Sequence, residues 1–253
     1  MSPHNVKSMP KIAQSPFGLP ETIRSFRRVS SLMKALIPPR ASFANSHPLM
    51  RANVLSHRCK QIIDSHRIEV EVCGRKPTKP AILVANHLSY LDPVIISSVI
   101  RCLPIAKSDV RSWPFFGKTL SRIKIVFVER ECAQSGAIVL RRMRQLLTEG
   151  VSPLLFPEGT TTCGDCVKPF RRGSFGLAKL TGCSVVPISL RFEDSEACWI
   201  DDQDFLSHYL QQTRKEKTVV QLHFLEPMKC ESNESAGEFA ERVRTQISKR
   251  AIP

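Results

Sequence analysis

The chain lacks an apolar run long enough to cross a bilayer. A spanning helix needs about 20 consecutive apolar residues, and the longest candidate, Val94 to Ile100, is interrupted by Ser97 and Ser98 and bounded by Asp92 and Arg101. Residues 1–20 carry Pro3, Pro10, Pro16 and Pro20 among polar residues and lack the continuous apolar core of a signal peptide, so they read as a flexible leader. Aromatic residues are scarce, at 7%, and no RNP-like aromatic block, helix-turn-helix or zinc-finger spacing occurs, which disfavours a nucleic-acid partner. No Gly-x-Ser-x-Gly elbow precedes a helix. The nearest string, Arg172-Gly173-Ser174-Phe175-Gly176, lacks the first glycine, which disfavours a Ser-His-Asp hydrolase.

Cysteine is not scarce, but its pattern is uninformative. The nine cysteines are scattered, odd in number and unaccompanied by a signal peptide, so no disulfide framework is expected. Cys163-Gly164-Asp165-Cys166 stands apart by its spacing. With no second CxxC and no His-x-x-x-His to complete a tetrahedral set, it reads as reduced loop thiols, and no metal site is expected.

Acidic residues are outnumbered, 23 against 37 Lys and Arg, for a net charge of +14. Such an excess attracts an anionic surface, and with nucleic acid disfavoured the choice falls on acidic lipid. From Ile23 to Ile37 the apolar residues Ile23, Phe26, Val29, Leu32, Met33, Leu36 and Ile37 recur at steps of three and four, with Arg24, Arg27, Arg28 and Lys34 between them. This is a basic amphipathic helix closed by Pro38-Pro39. Residues 21–66 are therefore expected to form a helical membrane-associating segment on the cytoplasmic face, lying in the interface plane; the competing reading packs the stripe on the protein's own domain.

A hydrophobic content of 42% and a charged content of 24% are those of a globular chain. After a helix over His47 to Asp64 and a strand over Arg67 to Val72, strands are expected at 81–85, 103–106, 124–128, 152–156, 184–190 and 219–225, with helices at 93–101, 134–149, 174–181 and 235–250. Residues 113–117 read as a loop. Near-continuous apolar strands alternating with helices predict one α/β domain over 67–253, with a mostly parallel central sheet flanked by helices.

The chemistry concentrates where strands end. Asn86-His87-Leu88-Ser89-Tyr90-Leu91-Asp92 follows the apolar stretch Ala81 to Ala85. A non-helical turn over this spacing brings His87 and Asp92 to one point, where an imidazole oriented by a carboxylate can take a proton from a hydroxyl. Asp92 before Pro93 is also an ordinary helix start. Downstream, the strand Leu154-Leu155-Phe156 ends in Pro157-Glu158-Gly159-Thr160, a turn suited to an anion.

Four blocks in order, NHLSYLD at 86–92, FVER at 127–130, FPEGTTT at 156–162 and Val186-Pro187-Ile188, resemble the glycerolipid acyltransferases, which include the enzymes that acylate lysophosphatidic acid and other lysophospholipids. The resemblance covers about Ile82 to Leu190. It implies that His87 is the general base and Asp92 its orienting carboxylate, and that Arg130, Glu158 and Gly159, with Thr160, hold the acceptor's phosphate. Lys107 matches a lysine of the acceptor groove. Many lysophosphatidate enzymes carry Arg where this chain has Thr161, which removes a bidentate phosphate partner; Arg171, with Lys168 and Arg172 nearby, is a replacement cation. The implied co-substrate is an acyl-CoA or acyl-carrier-protein thioester, with no other cofactor. The implied partners are a lysophospholipid acceptor, that acyl donor and an anionic membrane surface. Oxyanion donors are sought among the backbone amides near the Asn86 turn or the Val186-Pro187 strand end. The alternative is a non-catalytic basic module that docks on acidic lipid and keeps a degenerate acyltransferase shell.

Overall fold

The computed structural model describes residues 19–37, 43, 45–112, 116–128, 133–200 and 203–252. Arg130, the leader up to residue 18 and Trp113-Pro114-Phe115 lie outside the described residues. In chain order the elements are α1 (Leu19–Ala35), α2 (Pro48–His66), β1 (Ile68–Cys73), β2 (Ile82–Ala85), α3 (Asp92–Val99), β3 (Cys102–Lys107), α4 (Phe116–Arg122), β4 (Val126–Val128) and α5 (Ala133–Thr148). They continue with β5 (Ser152–Leu155), α6 (Gly173–Thr181), β6 (Val185–Phe192), α7 (Phe205–Arg214), β7 (Thr218–Phe224) and α8 (Ala236–Ala251).

The strands form one sheet in the order β1-β7-β6-β2-β5-β3-β4, parallel at every pairing except β6 with β7. At its centre β2 shows why the sequence reads as a continuous apolar run. Successive side chains of a strand point to opposite faces. Ile82 and Val84 pack with Val139 and Met143 of α5, Phe175 of α6 and Phe239 of α8. Leu83 and Ala85 pack on the other face with Ile63 of α2 and Ile95 and Ile96 of α3. Both faces are covered by helices, so neither can be polar.

The N-terminal helix departs from the expected arrangement. Leu32, Ala35 and Leu36 are buried with Ile62 of α2 and Tyr209 of α7, and Val29 and Met33 pack against the same cluster. That part of the stripe serves the protein's own domain. Ile23, Phe26 and Ile37 remain exposed. Arg28 is likewise not at the surface: it is 2% exposed. Its guanidinium donates to the carbonyls of Thr213 at 3.0 Å, Lys215 at 2.6 Å and Glu216 at 3.0 Å, capping the C-terminal end of α7, where helix carbonyls have no helical partner. Among the described residues no helix is long and apolar enough to cross a membrane. Two helices were not expected: α7, and α4, which begins inside the stretch that reads as a loop.

Candidate active site

The sheet register brings the two main sequence blocks together. β2 and β5 are parallel neighbours, with Leu83 opposite Leu154 and Val84 opposite Leu155. Their carboxyl ends, where open α/β sheets place ligands, therefore deliver His87 and Glu158 to the same point. On the other side of β2, Asn86 continues the pairing with its side chain. Its amide donates to the Leu190 carbonyl at 2.9 Å and accepts the Leu190 N–H at 2.8 Å.

His87 and Asp92 meet as the spacing predicts, with His87 Nδ1 2.7 Å from Asp92 Oδ2. The same oxygen accepts the backbone N–H of Leu88 at 2.6 Å and of Ser89 at 2.8 Å. With two backbone N–H groups already donating to Oδ2, a proton on His87 Nδ1 adds a third donor, and this tautomer leaves Nε2 as a base. Asp92 has no side-chain exposure, whereas His87 retains 20%. Asp92 opens α3 without forming a side-chain cap, and Leu91 occupies the capping position; the plain capping reading of this aspartate is not what the fold uses. Phe156 stacks on the His87 ring, centroids 4.2 Å apart and planes at 24°.

Glu158 holds the His87 peptide rather than facing outward. Its Oε1 accepts the His87 N–H at 2.8 Å and its Oε2 accepts the Lys168 N–H at 2.7 Å. The His87 carbonyl is held too, by the N–H of Thr162 at 2.9 Å. Burial pushes the Glu158 carboxyl above its ordinary range, opposed by these two backbone bonds and by His87. The amides of His87, Leu88 and Ser89 are thus committed to carboxylates, and the expected oxyanion donors near the Asn86 turn are already engaged.

His87 opens on a cavity of about 760 Å³, in the range of small-molecule sites. Its wall is largely apolar, with Leu32, Leu36, Ile62, Val94, Leu140 and Met143 among the lining residues. Lys107, Gly159, Thr160 and Arg171 line it as well. Lys107 pairs with Asp109. Gly159 sits at φ +80°, and a Cβ built there would lie 3.1 Å from Arg171 Nε, so the Arg171 side chain lies over the turn. Thr161, at the position where the resemblance leads one to expect arginine, is buried. The structure therefore gathers His87, Gly159, Thr160, Lys107 and Arg171 around one cavity, with Asp92 and Glu158 buried behind His87. Sequence reasoning missed the stacking Phe156, and it missed Tyr90, whose hydroxyl meets His208 Nδ1 at 3.1 Å. It also missed the His66–Tyr209 bond of 3.0 Å in the cavity wall. Only Tyr90 and Phe156 carried a signal, since both stand inside the motifs.

A family model described as Acyltransferase matches residues 67–191. The lyso-ornithine lipid O-acyltransferase of Pseudomonas aeruginosa is 30% identical over 184 residues, which cover 71% of this chain and 70% of that protein. The 1-acyl-sn-glycerol-3-phosphate acyltransferase alpha of Mus musculus is 35% identical over 48% of this chain and 45% of its own length. The crystal structure of the 1-acyl-sn-glycerophosphate acyltransferase PlsC from Thermotoga maritima superposes with a TM-score of 0.64 at 20% identity, covering 92% of this chain and 94% of that one. The chain belongs to the acyltransferase family. Within it, the chain is an O-acyltransferase, as its relatives are.

Proposed function

We propose that the enzyme moves a fatty acyl group from an acyl-CoA or acyl-carrier-protein thioester to the hydroxyl of a lysolipid, 1-acyl-glycerol-3-phosphate or a related acceptor, at the cytoplasmic face of a membrane. The observation that carries this reading is the His87–Asp92 pair at 2.7 Å, its imidazole opening on a largely apolar cavity of about 760 Å³. A thioester is already activated, so alignment of the acceptor hydroxyl and removal of its proton suffice. Nε2 of His87 takes that proton as the oxygen attacks the thioester carbonyl, and Asp92 stabilises the imidazolium. The imidazolium then protonates the departing thiolate.

Lipid chain and head group divide the cavity by chemistry. The apolar wall suits a fatty chain, while Lys107, Arg171 and Thr160 offer charge and a hydroxyl to an anionic head group, with Arg130 assigned there by resemblance. Arg171 supplies at the Gly159 turn the guanidinium that Thr161 does not. The names of the relatives, lyso-ornithine lipid and 1-acyl-sn-glycerol-3-phosphate acyltransferases, support a lysolipid acceptor. Exposed Ile23 and Phe26 on α1, Leu49 and Met50 on α2 and Leu206 on α7 support membrane contact by helices that pack together beside the cavity.

The test is a product profile by mass spectrometry with a panel of lysolipids and both donor types, for parent and His87→Ala. Loss of the general base lowers transfer on the order of 10²–10⁴-fold while the fold is kept. Equal turnover in the two proteins refutes the role of His87. Transfer to water alone refutes a lysolipid acceptor.

A further inference from the structure

The CxxC turn has no part in the chemistry above, yet the structure builds it into the support of His87. The His87 peptide is held at its N–H by Glu158 and at its carbonyl by Thr162, while the other oxygen of Glu158 holds Lys168. Cys163 and Cys166 therefore lie between the two points, Thr162 and Lys168, through which this strap grips the peptide. Thr162 Oγ1 also donates to the Cys166 carbonyl at 3.2 Å, and buried Cys198 donates its thiol to the Cys163 carbonyl at 3.5 Å. A covalent tie across the turn would therefore act on both ends of the strap.

The two thiols are placed to react with each other. Both cysteines are free and exposed. Gly164, at φ +91°, reverses the chain between them and lies against Leu88 of the His87 turn, 3.7 Å from an added Cβ to Leu88 Cδ2. Gly164 and Asp165 form the bend between them, and the Thr162 hydroxyl on the Cys166 carbonyl folds the turn back on itself, so the two cysteines flank one tight reversal.

We propose that Cys163 and Cys166 are a reversible disulfide site, oxidised by low-molecular-weight disulfides, whose closure displaces His87 and lowers acyl transfer. One thiolate attacks a sulfur of oxidised glutathione and releases one glutathione thiol; the second cysteine attacks the mixed disulfide and releases the other. Two protein thiols are oxidised and one small disulfide is reduced to two thiols. Closure brings the two sulfurs to a bond of about 2.05 Å. The bond locks the turn between Thr162 and Lys168 and shifts the two backbone contacts at its ends. Burial and the Asp165 carboxylate push the Cys166 thiol up, so exchange quickens as pH rises.

The effect on turnover rests on His87 acting as proposed, whereas the disulfide itself is read by mass. Full-length protein is equilibrated with oxidised and reduced glutathione at stated ratios near pH 8, mapped by peptide mass for a 163–166 bond, and assayed for acyl transfer. The reduced parent is expected to be active and the oxidised parent slower by roughly 10-fold or more, since an ångström of misplacement costs up to about 10²-fold. The loss falls in kcat and is reversed by dithiothreitol. Cys163→Ser and Cys166→Ser each stop at a mixed disulfide with glutathione and form no 163–166 bond, and the variant with both serines keeps the reduced parent's rate with and without oxidant. Absence of the 163–166 bond overturns the proposal, as does a mapped bond with unchanged turnover, or a variant with both serines that remains as sensitive as the parent. A reduced parent that transfers no acyl group refutes the reading of His87 instead.

Discussion

Replacement of Glu158 by glutamine separates a positioning role from a ligand-binding one, because the two side chains have the same shape and differ in what their ends accept. The carboxylate receives a backbone N–H on each oxygen, from His87 at 2.8 Å and Lys168 at 2.7 Å. Glutamine offers one oxygen and one NH₂, so in either orientation a donor faces a backbone donor. One charge-assisted bond is lost, worth about 1.5–3 kcal/mol. A compensating gain exists. Burial raises the Glu158 carboxyl above its ordinary value, so the native state binds the proton more readily than the unfolded chain, and the ionised group opposes folding at neutral pH. Glutamine removes that opposition. The net loss of stability in Glu158→Gln is therefore small, about 1 kcal/mol, or roughly 2–4 °C in Tm for a chain of this size.

The loss in rate is not offset in the same way. With one amide released, the His87 peptide loses an anchor, and kcat falls on the order of 10–10²-fold while the acceptor KM changes little. The pH profile gives a second readout. As pH falls toward the raised Glu158 value, protonation removes an acceptor and the parent loses rate; the glutamine variant lacks that limb. Steady-state kinetics with a water-soluble acceptor, with thermal melts alongside, decide the matter. An unchanged kcat with a raised acceptor KM refutes the positioning role and returns Glu158 to the head-group contact that the family resemblance implies.

His66 is held down to about 4 by burial, so the unfolded chain takes up a proton between pH 6.5 and 4 that the native chain refuses. Stability present above pH 6.5 is lost over that window, by about 3 kcal/mol, and chemical denaturation at stepped pH should show a flatter profile in His66→Gln; equal slopes refute the assignment. Arg28→Met removes the cap from α7 and should cost roughly 1.5–3 kcal/mol, with faster amide exchange in α1 and α7 but not in β2 or β5. Unchanged exchange in α7 refutes the clamp.

The central sheet was legible because burial on both faces leaves a strand no polar positions, and β2 and β6 were placed to within one or two residues, the usual ambiguity of element ends. The His87–Asp92 contact was legible from spacing. Glu158 was only half legible: the sequence puts it after β5, but the two amides that occupy its oxygens come from residue 87, remote in sequence, and from residue 168, at the far end of the following loop. The same holds for the oxyanion donors, since amides that look free in the Asn86 turn are taken by side chains which folding brings in. α7 escaped notice because Phe205, Leu206, Tyr209 and Leu210 form a short pattern; its start is set by the Asp204 side chain accepting the Ser207 N–H at 2.8 Å.

Periodicity cannot tell which way an apolar stripe faces, and α1 faces both ways. Its later turns, through Leu32, Ala35 and Leu36, form part of the cavity wall. Its middle holds α7 through Arg28, and its end is held by α2, where Arg58 donates to the carbonyls of Ala35 at 3.0 Å and Ile37 at 2.6 Å. Only Ile23, Phe26 and Ile37, with the exposed cations Arg27 and Lys34, are left for a lipid surface. A helix that walls the cavity, and that in the proposed reaction also meets the bilayer, cannot be removed as a detachable anchor. Its loss opens the cavity and uncaps α7, so turnover falls for water-soluble acceptors as well as membrane-embedded ones. In the proposed reaction this arrangement gives the fatty chain a path from bilayer to His87 along the inner face of the same helix whose outer face rests on the membrane.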